Sequence, residues 1–224
     1  MVGLLVCGAA FGGPGQSASK EWKALCGKNI PLGLDEDRID QMLGQCRKNG
    51  LSSQEADALL RPAYAARDEA LPVDSIFIKI EEGLAKHVDA AQVAEAAEAR
   101  LDCLRKARHL IDGQHPGRGG EGPPHLLTYT CMALESGLPE EVLQEVFKRQ
   151  GGRRYGRLVH ILEAGETLQL AGLDPRNTQQ IMNDCIDRNL NRLEILRAVD
   201  YVLAEQRKGR DFKAIHADLW VRSD

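Results

Sequence analysis

Gly172-Leu173-Asp174 lies between two stretches of helical periodicity, Leu158, Ile161 and Leu162 before it and Ile181, Met182, Cys185 and Ile186 after it. Its three residues have separable tasks. A glycine takes the left-handed conformation that ends a helix, at none of the steric cost a Cβ would add. The leucine folds back onto the last turn of that helix, and the aspartate caps the first amides of the next. The same stop, staple and start recurs at Gly33-Leu34-Asp35, Gly50-Leu51-Ser52, Ala70-Leu71-Pro72 and Gly137-Leu138-Pro139. His87-Val88-Asp89 and Asn189-Leu190-Asn191 are looser versions. Proline serves in third place because the first helical turn does not need its missing N–H.

The intervals between these triplets set the fold class. They are 17 residues from 33 to 50, 20 from 50 to 70, 17 from 70 to 87 and 17 from 172 to 189. Each holds a helix of about 12–14 residues plus a short turn. The 35 residues from 137 to 172 hold two helices, with Gly156 near the middle. The prediction is an all-α fold of stacked antiparallel helices, in hairpins of about 35 residues resembling helical repeats. The Trp, Tyr and Pro signature of tetratricopeptide repeats is absent, so that likeness is one of architecture alone.

Within the intervals, apolar residues recur at helical spacing: Ile39, Met42, Leu43 and Cys46; Ile76, Ile80 and Leu84; Val142, Leu143, Val146 and Phe147; Leu193, Leu196, Val199 and Leu203; Phe212, Ile215 and Leu219. Ser52-x-x-Glu55 predicts a capping box, and Pro62 a kink or restart of the helix that follows. Ala90, Ala94, Ala97, Leu101, Leu104 and Ile111 mark the longest helix. The segment Gly113–Pro124 has five Gly and three Pro in twelve residues, a composition that reads as a linker. It divides a first helical block, 20–112, from a second, 125–224.

Composition agrees. The 224 residues include 29 Leu and 25 Ala, only 4% are aromatic, and the net charge is −4. That hydrophobic content excludes a disordered chain. The dominance of Leu and Ala argues against an all-β fold, and no run approaches the ~20 apolar residues of a transmembrane helix.

Residues 1–19 carry no charged side chain: an apolar run, Val2 to Phe11, is followed by small residues and then Lys20-Glu21. This pattern reads as a signal peptide and an exported, periplasmic or extracellular protein; a cytoplasmic chain with an unstructured leader is the alternative. The six cysteines contain no CxxC. Cys46, Cys103, Cys131 and Cys185 fall on or beside apolar stripes and read as buried small hydrophobes. If the protein is exported, Cys26 and Cys46 are the nearest pair for a disulfide.

The stretch Ile80-Glu81-Glu82-Gly83-Leu84-Ala85-Lys86, with the Ala-rich helix after it, resembles a segment of uncharacterised exported bacterial all-helical proteins. Ser136-Gly137-Leu138-Pro139 leading into an amphipathic helix is similar. The resemblance spans about residues 50–205 and implies a helical fold and export, with no activity attached.

The densest charge lies in Lys148-Arg149-Gln150-Gly151-Gly152-Arg153-Arg154-Tyr155-Gly156-Arg157, five cations and no acid. Lys148, Arg149, Arg153, Arg154 and Arg157 could clamp an anion, and Tyr155 could stack on a ring. The competing reading is a solvated connection whose cations complement a helix C-terminus. The acidic net charge argues against a nucleic-acid partner. His109, His115 and His125 flank the linker at spacings that match no metal motif. Glu81-Glu82 and Glu140-Glu141 diverge on a helix. No GxSxG, Walker loop or HExxH is present. No metal and no cofactor is therefore expected. The sequence favours a non-enzymatic interaction protein that holds another protein or peptide, acidic if the basic loop is the contact, in a groove between stacked helices. An enzyme assembled from distant helices and a structural oligomer are the alternatives.

Overall fold

The computed structural model describes residues 22, 24–25, 35–114, 124–151 and 155–221. The leader, Cys7, Cys26 and the triplet at Gly33-Leu34 lie outside them. Among the described residues there are ten bounded helices and no strand: α1 Glu36–Lys48, α2 Ser53–Asp68, α3 Val73–Ala85, α4 Ala90–Gln114, α5 Pro124–Glu135, α6 Glu140–Gln150, α7 Tyr155–Leu170, α8 Pro175–Asp187, α9 Arg192–Arg207 and α10 Phe212–Leu219. The all-α expectation holds.

The turns are built as the triplets require. Gly50, Gly137 and Gly172 have φ of 77°, 94° and 83°. The non-glycine members follow them into the left-handed region, Ala70 at 52°, His87 at 54° and Asn189 at 55°. The next residue then donates its N–H back across the turn: Leu51 to the Cys46 carbonyl (3.1 Å), Leu138 to Ala133 (3.1 Å) and Leu173 to Leu168 (3.0 Å). This satisfies carbonyls that a helix end leaves without partners. Leu71, Leu138 and Leu173 are buried, as a staple should be, whereas Val88 of the looser triplet is exposed. The start residues cap. In a reciprocal box the Ser52 N–H donates to the Glu55 carboxylate (2.8 Å) and the Glu55 N–H to the Ser52 hydroxyl oxygen (3.2 Å). Asn191 and Glu194 repeat the arrangement at 2.7 and 3.1 Å.

Of the kink or restart expected at Pro62, the restart does not occur: α2 runs unbroken to Asp68 with Pro62 buried inside it. Burial of Leu59, Leu60, Ala63 and Ala66 around the ring outweighs the one main-chain hydrogen bond that proline cannot donate. Residue contacts gather the chain into two compact units. Among the described residues, one unit holds α1, α2, α3 from Ile76 onward and α4 as far as Glu98; the other holds residues 70–75 and those from Ala99 on. The boundary between these units falls inside α4. Of the segment 113–124, Gly113 and Gln114 close α4, Pro124 opens α5, and the remainder is outside the described residues. A helix of 25 residues is about 37 Å long, room enough for different neighbours along its length.

In the first unit the core is Ile39, Met42, Leu43, Cys46, Leu59, Leu60, Ile76, Phe77, Ile80 and Leu84. Gly83 on α3 lets α4 approach so closely that a Cβ would lie 2.6 Å from Val93 Cγ2. Arg38 on α1 grips the Glu81 carboxylate through both Nη atoms, at 2.6 and 2.9 Å, with its guanidinium 5.3 Å from the Phe77 ring centre.

In the second unit α7 is central and packs on α5, α8 and α9; α6 lies on α8, and α10 on α9. Helices next in sequence and next but one are thus in contact, as in stacked hairpins. Gly165 permits the tight α7–α8 approach: a Cβ there would meet Met182 Sδ at 2.6 Å. α10 is tied to α8 through Asp184, which accepts from Trp220 Nε1 at 3.0 Å and pairs with His216 Nε2 at 2.5 Å.

Candidate functional site

Helical spacing brings one face from each of three helices in the second unit to a single cleft of about 410 Å³. α7 contributes His160, Glu163, Ala164 and Thr167, at i, i+3, i+4 and i+7, together with Glu166. α9 contributes Arg192, Ile195, Leu196, Val199 and Asp200, again one face. α5 supplies Tyr129 and Met132. The walls therefore combine an apolar strip, in which Ile195 and Val199 are buried and Leu196 is 49% exposed, with three carboxylates against one guanidinium.

The polar groups are linked. His160 Nδ1 lies 2.8 Å from the Glu163 carboxylate. The Tyr129 phenol also hydrogen-bonds Glu163, which raises its pKa above the ordinary value, with partial burial adding to the rise. Burial raises the Glu166 carboxyl as well; Arg100 opposes that rise, and Glu163 and Glu135 reinforce it. The Thr167 hydroxyl donates to the Glu163 carbonyl at 2.8 Å. The arrangement suits binding: an acidic, part-apolar cleft complements a ligand that carries positive charge beside hydrocarbon.

The basic stretch has a different setting. Lys148 is exposed at the end of α6, and Arg153 and Arg154 lie outside the described residues. Arg149 binds Asp187 with Nε at 2.7 Å and Nη2 at 2.5 Å, which raises the guanidinium pKa. Arg157 donates to the Ile186 carbonyl at 2.8 Å and to the Asn189 side chain. Both arginines thus serve the C-terminal end of α8, where the helix dipole favours cations. Tyr155 is half-buried at the start of α7. Two of the five cations therefore have partners inside the protein.

Cys46, Cys103, Cys131 and Cys185 are free thiols. Cys46 and Cys185 are fully buried, and burial pushes them up to about 11 and about 12. Cys103 and Cys131 differ because they share a hydrogen bond. It lowers the Cys103 thiol, which burial opposes, and raises Cys131 together with burial. His115 and Glu121 lie outside the described residues, and His109 and His125 enter no metal-sized cluster among them.

Sequence inspection missed the cleft because its residues are shared among three helices, with no short motif. The spacing of Glu163, Glu166 and His160 on one helix was the available signal. No protein-family model matches the chain, and no curated protein or solved structure is significantly similar to it.

Proposed function

We propose that the protein is a binding module that seats a basic, amphipathic peptide segment of a partner in the cleft between α5, α7 and α9. One observation carries the reading: Glu163, Glu166 and Asp200 face the same cleft as the apolar strip of Ile195, Leu196 and Val199. Apolar side chains of the segment cover Leu196, whose exposure is otherwise a cost, while its cations meet the carboxylates. The volume accommodates a few side chains of the segment, not a folded domain. The sequence pointed to a groove between stacked helices and to an acidic partner at the basic loop. The reading offered here also uses a groove, with a basic segment in place of an acidic partner. Export rests on the leader and on the resemblance of residues 50–205; the intact mass of protein taken from its host tests it, since an uncleaved leader would leave the chain at full length.

A fluorescein-labelled helical peptide of Lys and Leu, titrated against the full chain, tests the function. Binding should weaken with salt, because exposed charge pairs are screened over about 10 Å at 0.1 M. Glu163→Gln with Glu166→Gln should lower the affinity about tenfold or more, and Leu196→Asp likewise. A counterpart peptide with Glu in place of Lys should not bind. Equal affinity for the two peptides, or an unaffected Glu163→Gln/Glu166→Gln variant, overturns the proposal.

A further inference from the structure

A second group of side chains in the same unit stands apart from the cleft. Cys131 and Glu135 are four residues apart on α5 and so share one helix face. Cys103 on α4 faces them. The two sulfurs and a Glu135 carboxylate oxygen all lie within 4.8 Å of one another. From these positions we infer that Cys103, Cys131 and Glu135 form a binding site for one zinc-class divalent cation, with water in a fourth position.

The geometry needs little adjustment. Three atoms no more than 4.8 Å apart have a common point within about 2.8 Å of each, and inward shifts of about 0.5 Å give the ~2.3 Å Zn–S and ~2.1 Å Zn–O bonds of tetrahedral zinc. The carboxylate is already held. Arg100, one turn before Cys103, donates to Glu135 Oε2 at 2.7 Å and to Ser75 Oγ at 3.2 Å, and its side chain is 11% exposed. Such an outer partner fixes a ligand's orientation.

Charge balances in both states. Without metal, two neutral thiols lie beside the Arg100–Glu135 ion pair. The Cys103 thiol donates to the Cys131 carbonyl at 3.3 Å, and the Cys131 thiol reaches the Arg100 carbonyl at 3.9 Å. On binding, the cation displaces the two thiol protons to solvent. Two thiolates, one carboxylate, one guanidinium and one dication again sum to zero, so no net charge is buried. An entry path exists: a shallow cleft of about 540 Å³ is lined by Cys103 and Glu135, with Asp102 and Glu140 at its walls. Cys46 and Cys185, fully buried and outside the cluster, lack both ligands and access.

The test uses the full chain, reduced and treated with chelator. One equivalent of Co²⁺ should produce a thiolate-to-cobalt charge-transfer band that Zn²⁺ abolishes. Cys103→Ser and Cys131→Ser should each remove the band. Glu135→Gln should weaken binding about tenfold or more, since even outer partners are worth that much. Cys46→Ser and Cys185→Ser should leave it intact. Alkylation of the unsubstituted protein, mapped by mass, is the second readout, and zinc should shield Cys103 and Cys131. Any of three results overturns the site: no stoichiometric uptake, uptake that persists without both cysteines, or equal labelling of the pair with and without zinc. A Cys103–Cys131 disulfide that, once reduced, takes up no metal overturns it too. Failure here leaves the peptide cleft untouched, because the two share no lining residue.

Discussion

Gly165→Ala should destabilise the second unit even though alanine is the better helix former. In an open helix interior the exchange gains about 1 kcal/mol of propensity. At Gly165 the new Cβ would lie 2.6 Å from Met182 Sδ, 2.9 Å from its Cε and 3.1 Å from Leu138 Cδ1. Met182 and Leu138 are buried, so neither can swing into water. Overpacking of a full core costs about 1–3 kcal/mol, and the net is a loss of about 1 kcal/mol. Gly44→Ala on α1 supplies the contrast, since nothing lies within 4 Å of its Cβ position and the propensity gain stands alone. A double-mutant cycle isolates the contact. Met182→Ala alone should cost about 2–5 kcal/mol by leaving a cavity. With the thioether gone, Gly165→Ala should become stabilising, a coupling of about 2 kcal/mol. Thermal unfolding followed by circular dichroism would show this as about 4–8 °C. If Gly165→Ala stabilises as much as Gly44→Ala, or acts alike in both backgrounds, the tight α7–α8 approach is not as described.

Two further expectations concern the first turns and the first unit. Ala70→Gly should raise stability by about 0.5–1 kcal/mol, because the left-handed φ costs a Cβ-bearing residue about 1–2 kcal/mol and glycine's greater unfolded entropy returns only part of that; a lower denaturation midpoint would contradict it. The Glu81 carboxyl is held below its ordinary value of 4.5 by the Arg38 hydrogen bonds, with burial opposing. Its stabilising effect is therefore present above that ordinary value and lost as pH falls through the lowered one. Glu81→Gln should unfold earlier than the unsubstituted protein at neutral pH, and the gap should close in acid; a gap constant across pH would refute the assignment.

The turns were legible because each is specified by three adjacent residues with different chemical tasks. The same logic shows why two were passed over: Gly151, left-handed at φ 65°, is followed by Gly152 and Arg153 instead of an apolar residue and a cap. Gly209 is left-handed at φ 75° and Asp211 caps α10, but the residue between them is Arg210. Its guanidinium closes the turn by pairing with Glu205 (2.8 Å) and Asp218 (2.7 Å), an ionic substitute for the apolar staple. Pro62 does not end α2 because proline's local preference is a weak prior once the ring and the residues around it, Leu59, Leu60 and Ala63, are buried. The basic stretch stood out as a run of charge, yet a run does not disclose its partners, and Arg149 and Arg157 find theirs on α8. Neither the cleft nor the thiol cluster is contiguous. Cys103 and Cys131 are joined only by the packing of α4 on α5, and Cys131-x-x-x-Glu135 alone was visible as a shared face.

The left-handed turns at Gly50, His87, Gly137, Gly172, Asn189 and Gly209 are closed by main-chain bonds that reach back no more than five residues, as from Leu173 to Leu168. The main-chain part of each such closure is therefore local, although side chains add to it from afar, as Arg157 does at the Ile186 carbonyl and Arg108 at the Ala70 carbonyl. As the polypeptide leaves the ribosome, a helix can be terminated and the next one aimed before later helices exist, on the fast timescale of local closure. What is left to tertiary packing is side-chain interlocking such as that of Met182 against Gly165.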